Sequence, residues 1–210
     1  MALPTLYYVH DPMCSWCWGF RPVWTQVQTA LADKVNIRYV LGGLAADNDL
    51  PMPADMQANI KDTWARIQQD IPGTVFNFDF WTQNQPRRST YASCRAVIAA
   101  GLQDKVKAAD MLLAIQQAYY LQAKNPSDNS LLIRLASGLG LNTERFAADL
   151  SSDKCEQLLQ QELQLTRRLG VSSFPSLVLD NNGSITMIHV DYTSSESIIS
   201  SISACLNVTG

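Results

Sequence analysis

Residues 11–20 read DPMCSWCWGF, and the use made of its two cysteines, Cys14 and Cys17, decides how the rest of the chain is read. A C-x-x-C spacing alone serves a redox dithiol, half of a zinc site, or two thiols that only pack, so the flanking sequence has to choose. Upstream, TLYYVH at 5–10 is rich in β-branched and aromatic residues and reads as a strand that stops just before the motif. Downstream, Phe20, Val23, Trp24, Val27 and Leu31 recur every three or four residues, the period of an amphipathic helix. Pro22 lies inside that helix and predicts a kink. Residues 35–43, VNIRYVLGG, read as a second strand closed by two glycines. Strand, cysteine pair, helix, strand is the opening of a parallel sheet with a right-handed crossover.

The middle of the chain changes character. From 53 to 169 it is dominated by Ala, Gln, Leu and Arg at helical periods, with helices predicted over 53–70, 88–102, 105–124, 128–139, 143–150 and 153–169 and a less regular aromatic stretch at 75–81. Asn142 or Thr143 is positioned to cap the start of one helix and Gly140 to close the one before it. Strand chemistry then returns with SLVLD at 176–180, the turn NNG, and SITMIHV at 184–190, where Asn182-Gly183 between alternating apolar runs signals a hairpin. A last amphipathic helix, 194–207, carries Ile198, Ile199, Ile202, Cys205 and Leu206 along one side. The order βαβ, helices, ββα is that of an α/β thioredoxin fold with a large all-helical domain between its two halves. The expected boundaries are 1–52 and 170–210 for the thioredoxin-like domain and 53–169 for the insertion.

At 210 residues the chain is long enough to bury a substantial core, and 47% hydrophobic against 17% charged residues suits a folded protein. Sixteen Lys and Arg against 19 Asp and Glu, interspersed, give a net charge of −3. That balance argues against nucleic acid and anionic membrane as partners. No run approaches the roughly 18 apolar residues of a membrane helix. MALPTLYYVHDP lacks the basic and apolar regions of a secretory leader, so with Met1 as the natural start a cytoplasmic protein is expected, and a periplasmic one if a leader preceded it. The five cysteines, 14, 17, 94, 155 and 205, contain one close pair and do not resemble a secreted disulfide framework. Cys94, Cys155 and Cys205 lie in apolar helical patterns and are expected to behave as small buried hydrophobes.

Thiol exchange proceeds through a thiolate, and a free cysteine of pKa about 8.5 supplies only a few per cent of it at neutral pH. A helix N-terminus stabilises an anion in its first turn, where the strand-to-helix junction puts Cys14, the expected nucleophile. Cys17, one turn deeper, is the expected resolving thiol. Trp16 and Trp18 give the mouth an apolar rim suited to unfolded peptide, or simply pack against the sheet. The proline that begins a strand in GVSSFPSLVL, residues 170–179, marks a constrained backbone at Pro175. Asp11, three residues before Cys14, is read first as a cap for the coming helix and second as an influence on thiolate ionisation.

Taken together, DPMCSWCWGF, SCRAVIAA at 93–100, IQQAYYLQAKNPSDNSLL at 115–132, LASGLGLNTERF at 135–146 and GVSSFPSLVL resemble the DsbA-like branch of the thioredoxin superfamily. Within it, they are most similar to a cytoplasmic bacterial group of predicted protein-disulfide isomerases related to FrnE, over nearly the whole chain. The resemblance implies thiol-disulfide oxidoreductase or isomerase activity at Cys14 and Cys17. It also implies a cis peptide before Pro175 facing the pair, a substrate-contacting surface from Ser15, Trp16, Phe174 and Pro175, and protein or peptide thiols and disulfides as partners. It implies no metal and no cofactor beyond the dithiol, with glutathione as a possible co-substrate. Strongly oxidising relatives carry histidine where this chain has Trp16, so reductase or isomerase character is expected as readily as net oxidation.

Three rival readings remain open at this stage. Zinc would need ligands from His10, His189, Cys94, Cys155 or Cys205, none of which forms a second close pair. A glutathione-dependent isomerase or transferase of the same architecture typically carries serine at the nucleophile position. A non-catalytic binding module would use the helical insertion as its working surface.

Overall fold

The computed structural model describes residues 3–207; residues 1–2 and 208–210, the outer ends of the two expected half-domains, lie outside them. Strand β1 (Thr5–His10) leads through the cysteine motif into helix α1 (Ser15–Leu31) and back to strand β2 (Asn36–Leu41). Helices α2 (Ala54–Asp70), α3 (Phe80–Gln83), α4 (Tyr91–Gln103), α5 (Lys105–Tyr120), α6 (Asn129–Gly138), α7 (Thr143–Leu150) and α8 (Asp153–Arg168) follow. The chain then returns as strands β3 (Ser176–Asn181) and β4 (Ser184–Ile188) and helix α9 (Ser195–Asn207).

The strands form one mixed sheet in the order β2-β1-β3-β4. β1 pairs in parallel with β2 and antiparallel with β3, with Tyr8 opposite both Tyr39 and Leu177. This is a thioredoxin fold with a helical insertion between its βαβ and ββα halves. The period-two alternation of a strand gives β1 two working faces. Leu6 and Tyr8, with Leu177 and Leu179 of β3, pack on Phe20, Trp24 and Val27 of α1 and Ile198 and Ile202 of α9. Val9, Val40 and Val178 face the other way, against Val171, Leu165 and Phe174.

The hairpin forms as its turn chemistry demands: Asn182 and Gly183 both have positive φ, 54° and 94°, and Asn181 pairs with Ser184. Such a two-residue turn matches the right-handed strand twist. The predicted helix over 105–124 ends earlier, at Tyr120, because the chain turns through a left-handed Ala123 (φ 53°) that lets the Lys124 N–H reach back to Ala118 O. The aromatic stretch at 75–81 is an irregular loop ending in the single-turn α3. Cys94 and Cys155 are fully buried as expected, whereas Cys205 is only half-buried, on the flank of α9 rather than beneath it.

The insertion has two cores. Aliphatic residues of α4 to α8 make one, around Cys94, Ile115, Leu132 and Leu159. The other is aromatic, built on the fully buried Trp64 with Phe76, Phe80, Trp81, Tyr119 and Tyr120, and Met13, Trp16 and Trp18 of the cysteine motif pack against it. On the outer edge of the sheet, Glu162 of α8 accepts the Leu41 N–H at 3.2 Å and pairs with Arg38 at 3.3 Å. That carboxylate occupies a donor which an edge strand otherwise leaves open to a further strand. Among the described residues no helix is long and apolar enough to cross a membrane.

Candidate active site

Cys14 is the N-cap of α1. Its backbone is extended (φ −81°, ψ 114°), its carbonyl accepts the Trp18 N–H, and its sulfur accepts the Cys17 N–H at 3.3 Å. The position follows from the sequence. Pro12 and Met13 hold a turn closed by the Cys14 N–H on Asp11 O at 3.1 Å, and the helix starts at Ser15 with a sulfur where Ser or Asp usually caps. The same sulfur lies 3.4 Å from the carbonyl oxygen of Phe174, to which its thiol donates. The Phe174–Pro175 peptide is cis, so two segments 160 residues apart meet at this sulfur.

Cys17 is 1% exposed, deeper than Cys14 at 5%. Burial pushes its thiol well above the ordinary cysteine range, and the neighbouring Cys14 sulfur adds to the shift. Tyr8 packs its hydroxyl on Cys17 and is itself held protonated by burial. Both cysteines are free thiols. A thiol that ionises reluctantly and has little access to solvent suits attack on its neighbour within the molecule better than attack on an incoming partner.

A cleft of about 390 Å³ opens in front of Cys14, walled by Met13, Ser15, Trp16, Trp64, Arg88 and Phe174 among others. Trp16 stands at its side, packed on Tyr192 at 5.0 Å between ring centroids, with the Arg66 guanidinium 5.1 Å over its ring. Trp18 is engaged elsewhere: it stacks on Tyr120 at 5.6 Å and its indole N–H donates to Val75 O, the packing role. The Phe174 ring sits over Gly42 with Val9 and Val40, which leaves its carbonyl as the group that meets the sulfur. Ser15 lines the cleft in the first turn, whereas Pro175 is buried and borders a separate depression with Met187 and Tyr192 instead.

Asp11 does not cap α1. It is completely buried, and its carboxylate accepts the N–H groups of Met13 (2.8 Å) and Leu44 (2.7 Å) and the hydroxyl of Thr90 (2.7 Å), with the Cys94 thiol at 3.6 Å. The reason is geometric: the Asp11 side chain turns away from the helix axis toward the loop after β2 and the start of α4, so the first free helical amide goes to the Cys14 sulfur instead. Burial raises the Asp11 pKa, opposed by those hydrogen bonds. A buried acid that joins three distant segments under a catalytic loop has no local sequence signature. Nor has Arg88, which lines the cleft and has no ion-pair partner among the described residues. His10 ends β1 as read, and His189 is an exposed residue just past β4. Among the described residues no three His, Cys, Asp or Glu side chains converge in a metal-holding arrangement.

Comparison with known proteins places this geometry. Residues 7–200 match the model of a family described as thioredoxin. The ClpXP adapter protein SpxH of Halalkalibacterium halodurans is 25% identical over 181 residues, and that of Bacillus subtilis 24% over 176. Each match covers 84% of this chain but only 58% of the relative, so the chain spans little more than half the length of those proteins. A Nitrosomonas europaea structure provisionally named a protein disulfide isomerase superposes with a TM-score of 0.86 at 27% identity, over 99% of this chain and all of that one. The cytosolic disulfide reductase DsbM of Pseudomonas aeruginosa, also solved with GSH, gives 0.78 at 23% identity over 97% and 99% of the two chains. With the family model covering nearly its full length, the chain belongs to the thioredoxin family.

Proposed function

We propose that the protein is a thiol-disulfide oxidoreductase that reduces or isomerises disulfides, with Cys14 as nucleophile, Cys17 as resolving thiol and glutathione as the source of reducing equivalents. The observation that carries this reading is the Cys14 sulfur at the mouth of a cleft, held between the Cys17 N–H and the Phe174 carbonyl. The Cys14 thiolate attacks a substrate disulfide, whose S–S bond breaks as the mixed disulfide forms and the leaving thiolate takes up a proton. Cys17, deprotonated as the exchange proceeds, then attacks the Cys14 sulfur, expels the second substrate thiolate and closes the Cys14–Cys17 disulfide. Two electrons have passed to the substrate. Two glutathione thiols return the pair to the dithiol and leave as glutathione disulfide. The reductase neighbour solved with GSH supports that reductant, and Arg88 in the cleft is a cation for a glutathione carboxylate. The neighbour's cytosolic setting supports action in the cytoplasm.

The test is glutathione-driven reduction of insulin. Cys14→Ala is expected to fall to the uncatalysed rate, and Cys17→Ala to accumulate a mixed disulfide visible as a mass increment on Cys14. Equal rates for Cys14→Ala and the parent protein would remove Cys14 from the reaction. The pair's reduction potential fixes the direction: a value near about −120 mV marks an oxidant, whereas one near the cytosolic glutathione poise of roughly −220 to −260 mV marks a reductase or isomerase. The adapter proteins among the relatives favour a second reading, in which the chain recruits a protein partner. Partner capture that survives Cys14→Ala while insulin reduction is lost would support that reading.

A further inference from the structure

A second cavity, of about 410 Å³, lies away from the dithiol between the outer strand β2 and helices α4, α5 and α8. Its walls are mostly aliphatic, with Leu41, Val97, Leu112 and Leu158 among them, and four polar side chains reach it: His10, Tyr39, Lys105 and Glu162. Two of the four already have partners. The Tyr39 hydroxyl accepts from the Trp24 indole at 2.8 Å. Both Glu162 oxygens are used, one by Arg38 and the other by the Leu41 N–H.

The other two are not engaged. Lys105, exposed at the start of α5, has no ion-pair partner among the described residues. His10 is 1% exposed, stacked on Tyr8 at 5.0 Å and met edge-on by Tyr39 at 5.4 Å, and its Nδ1 is buried without a hydrogen-bond partner. Burial lowers its pKa to about 3, so the ring is neutral at physiological pH, with one donating and one accepting nitrogen. Leaving such a nitrogen unpaired in the interior is unfavourable. The volume falls in the range of small-molecule sites, which combine apolar walls with a few placed polar groups.

We propose that this cavity binds an aliphatic monocarboxylate carrying a hydroxyl or carbonyl at its far end. The chain lies along the leucine and valine walls, the carboxylate meets Lys105 at the rim, and the distal oxygen pairs with the His10 imidazole at the floor. A hydroxyl both donates and accepts, so its pairing with the ring does not depend on the tautomer. An ammonium ligand is disfavoured because, among the described residues that line the cavity, the acidic group Glu162 already has both oxygens occupied, whereas the charge without an ion-pair partner, Lys105, is positive.

The experiment uses the full chain labelled with ¹⁵N and titrated with 10-hydroxydecanoate and with decanoate. Two histidines are present in the sequence, so imidazole nitrogen spectra report the cavity through His10 and carry an internal control in the exposed His189. The His10 signals are expected to shift with saturation while those of His189 stay. The hydroxy acid should bind about fivefold more tightly than decanoate, the worth of one hydrogen bond to an otherwise unpaired group. Lys105→Glu, an exposed change that also suits a helix N-terminus, should weaken both acids about tenfold. Unmoved His10 signals at millimolar ligand, equal affinity for the two acids, or unchanged binding by Lys105→Glu would each overturn the proposal. Because none of these readouts involves the cysteines, they stand or fall apart from the redox assignment.

Discussion

A Cβ placed on Gly42 would lie 2.8 Å from Phe174 Cδ1 and closer still to Cε1 and Cζ, against the roughly 3.5–4.0 Å at which carbon atoms rest. Gly42→Ala therefore forces the Phe174 ring back by about 1 Å or more and out of its seat on Val9 and Val40. Overpacking of this kind costs about 1–3 kcal/mol. Gly42 does not have a positive φ, so alanine brings no backbone strain. Where the ring is absent the same change is expected to be neutral or to stabilise by about 0.4–1 kcal/mol, through the unfolded chain. A double-mutant cycle with Phe174→Ala isolates the contact, with an expected coupling of about 2 kcal/mol. Urea denaturation of the reduced protein, followed by tryptophan fluorescence, measures it: at a slope of about 2 kcal/mol/M the midpoint falls by roughly 1 M in the parent background and not in Phe174→Ala. Because the Phe174 carbonyl accepts from Cys14, Gly42→Ala should also slow insulin reduction several-fold. An equal stability loss in both backgrounds would show that the ring does not occupy that seat.

Asp11→Asn probes the buried carboxyl. Its folded pKa is raised by burial, so its contribution to stability is fully present below the ordinary carboxylate range and is lost as pH rises through the folded value. The stability of the parent relative to Asp11→Asn should therefore shrink as pH rises above the ordinary aspartate pKa of about 4, and a difference that is flat or grows would contradict the burial argument. Asp11→Ala, which orphans the amides of Met13 and Leu44 and leaves the Thr90 hydroxyl only the Ala45 carbonyl, should cost about 3 kcal/mol in urea melts. Arg88→Glu should raise the KM for glutathione at least several-fold with little change in thermal midpoint; an unchanged KM removes Arg88 from substrate binding. Gly183→Val, at a φ of 94°, should lower stability by about 1–2 kcal/mol through the hairpin turn alone, with insulin reduction unaffected.

The strands and long helices were legible because each carries a local signal, composition and turn residues for the strands and period for the helices. TLYYVH and SLVLD are short runs of β-branched, aromatic and aliphatic residues, α1 repeats its apolar residues every three to four, and Asn182-Gly183 announces its turn. The sulfur at the start of α1 followed from the strand-to-helix junction and the cis proline from the family resemblance. Tertiary roles were out of reach. Asp11 looked like a helix cap because local spacing cannot show that Leu44 and Thr90, 33 and 79 residues away, present closer donors. Phe174 was placed on the substrate-contacting surface by the resemblance, but that its carbonyl oxygen reaches the Cys14 sulfur, 160 residues away, is a tertiary fact that local sequence does not carry. The stop of α5 at Tyr120 depends on a left-handed alanine, which no propensity scale favours.

The Asp11 carboxylate ties the loop bearing Cys14 to the end of the outer strand and to the first helix of the aliphatic core. The sheet and the helices, joined at the outer edge by Glu162, are thereby also fastened directly under the sulfur, and heat that loosens the helices there must also release the active loop. Loss of activity and loss of helical signal should follow the same melting curve, leaving no temperature at which a folded scaffold carries a slack dithiol.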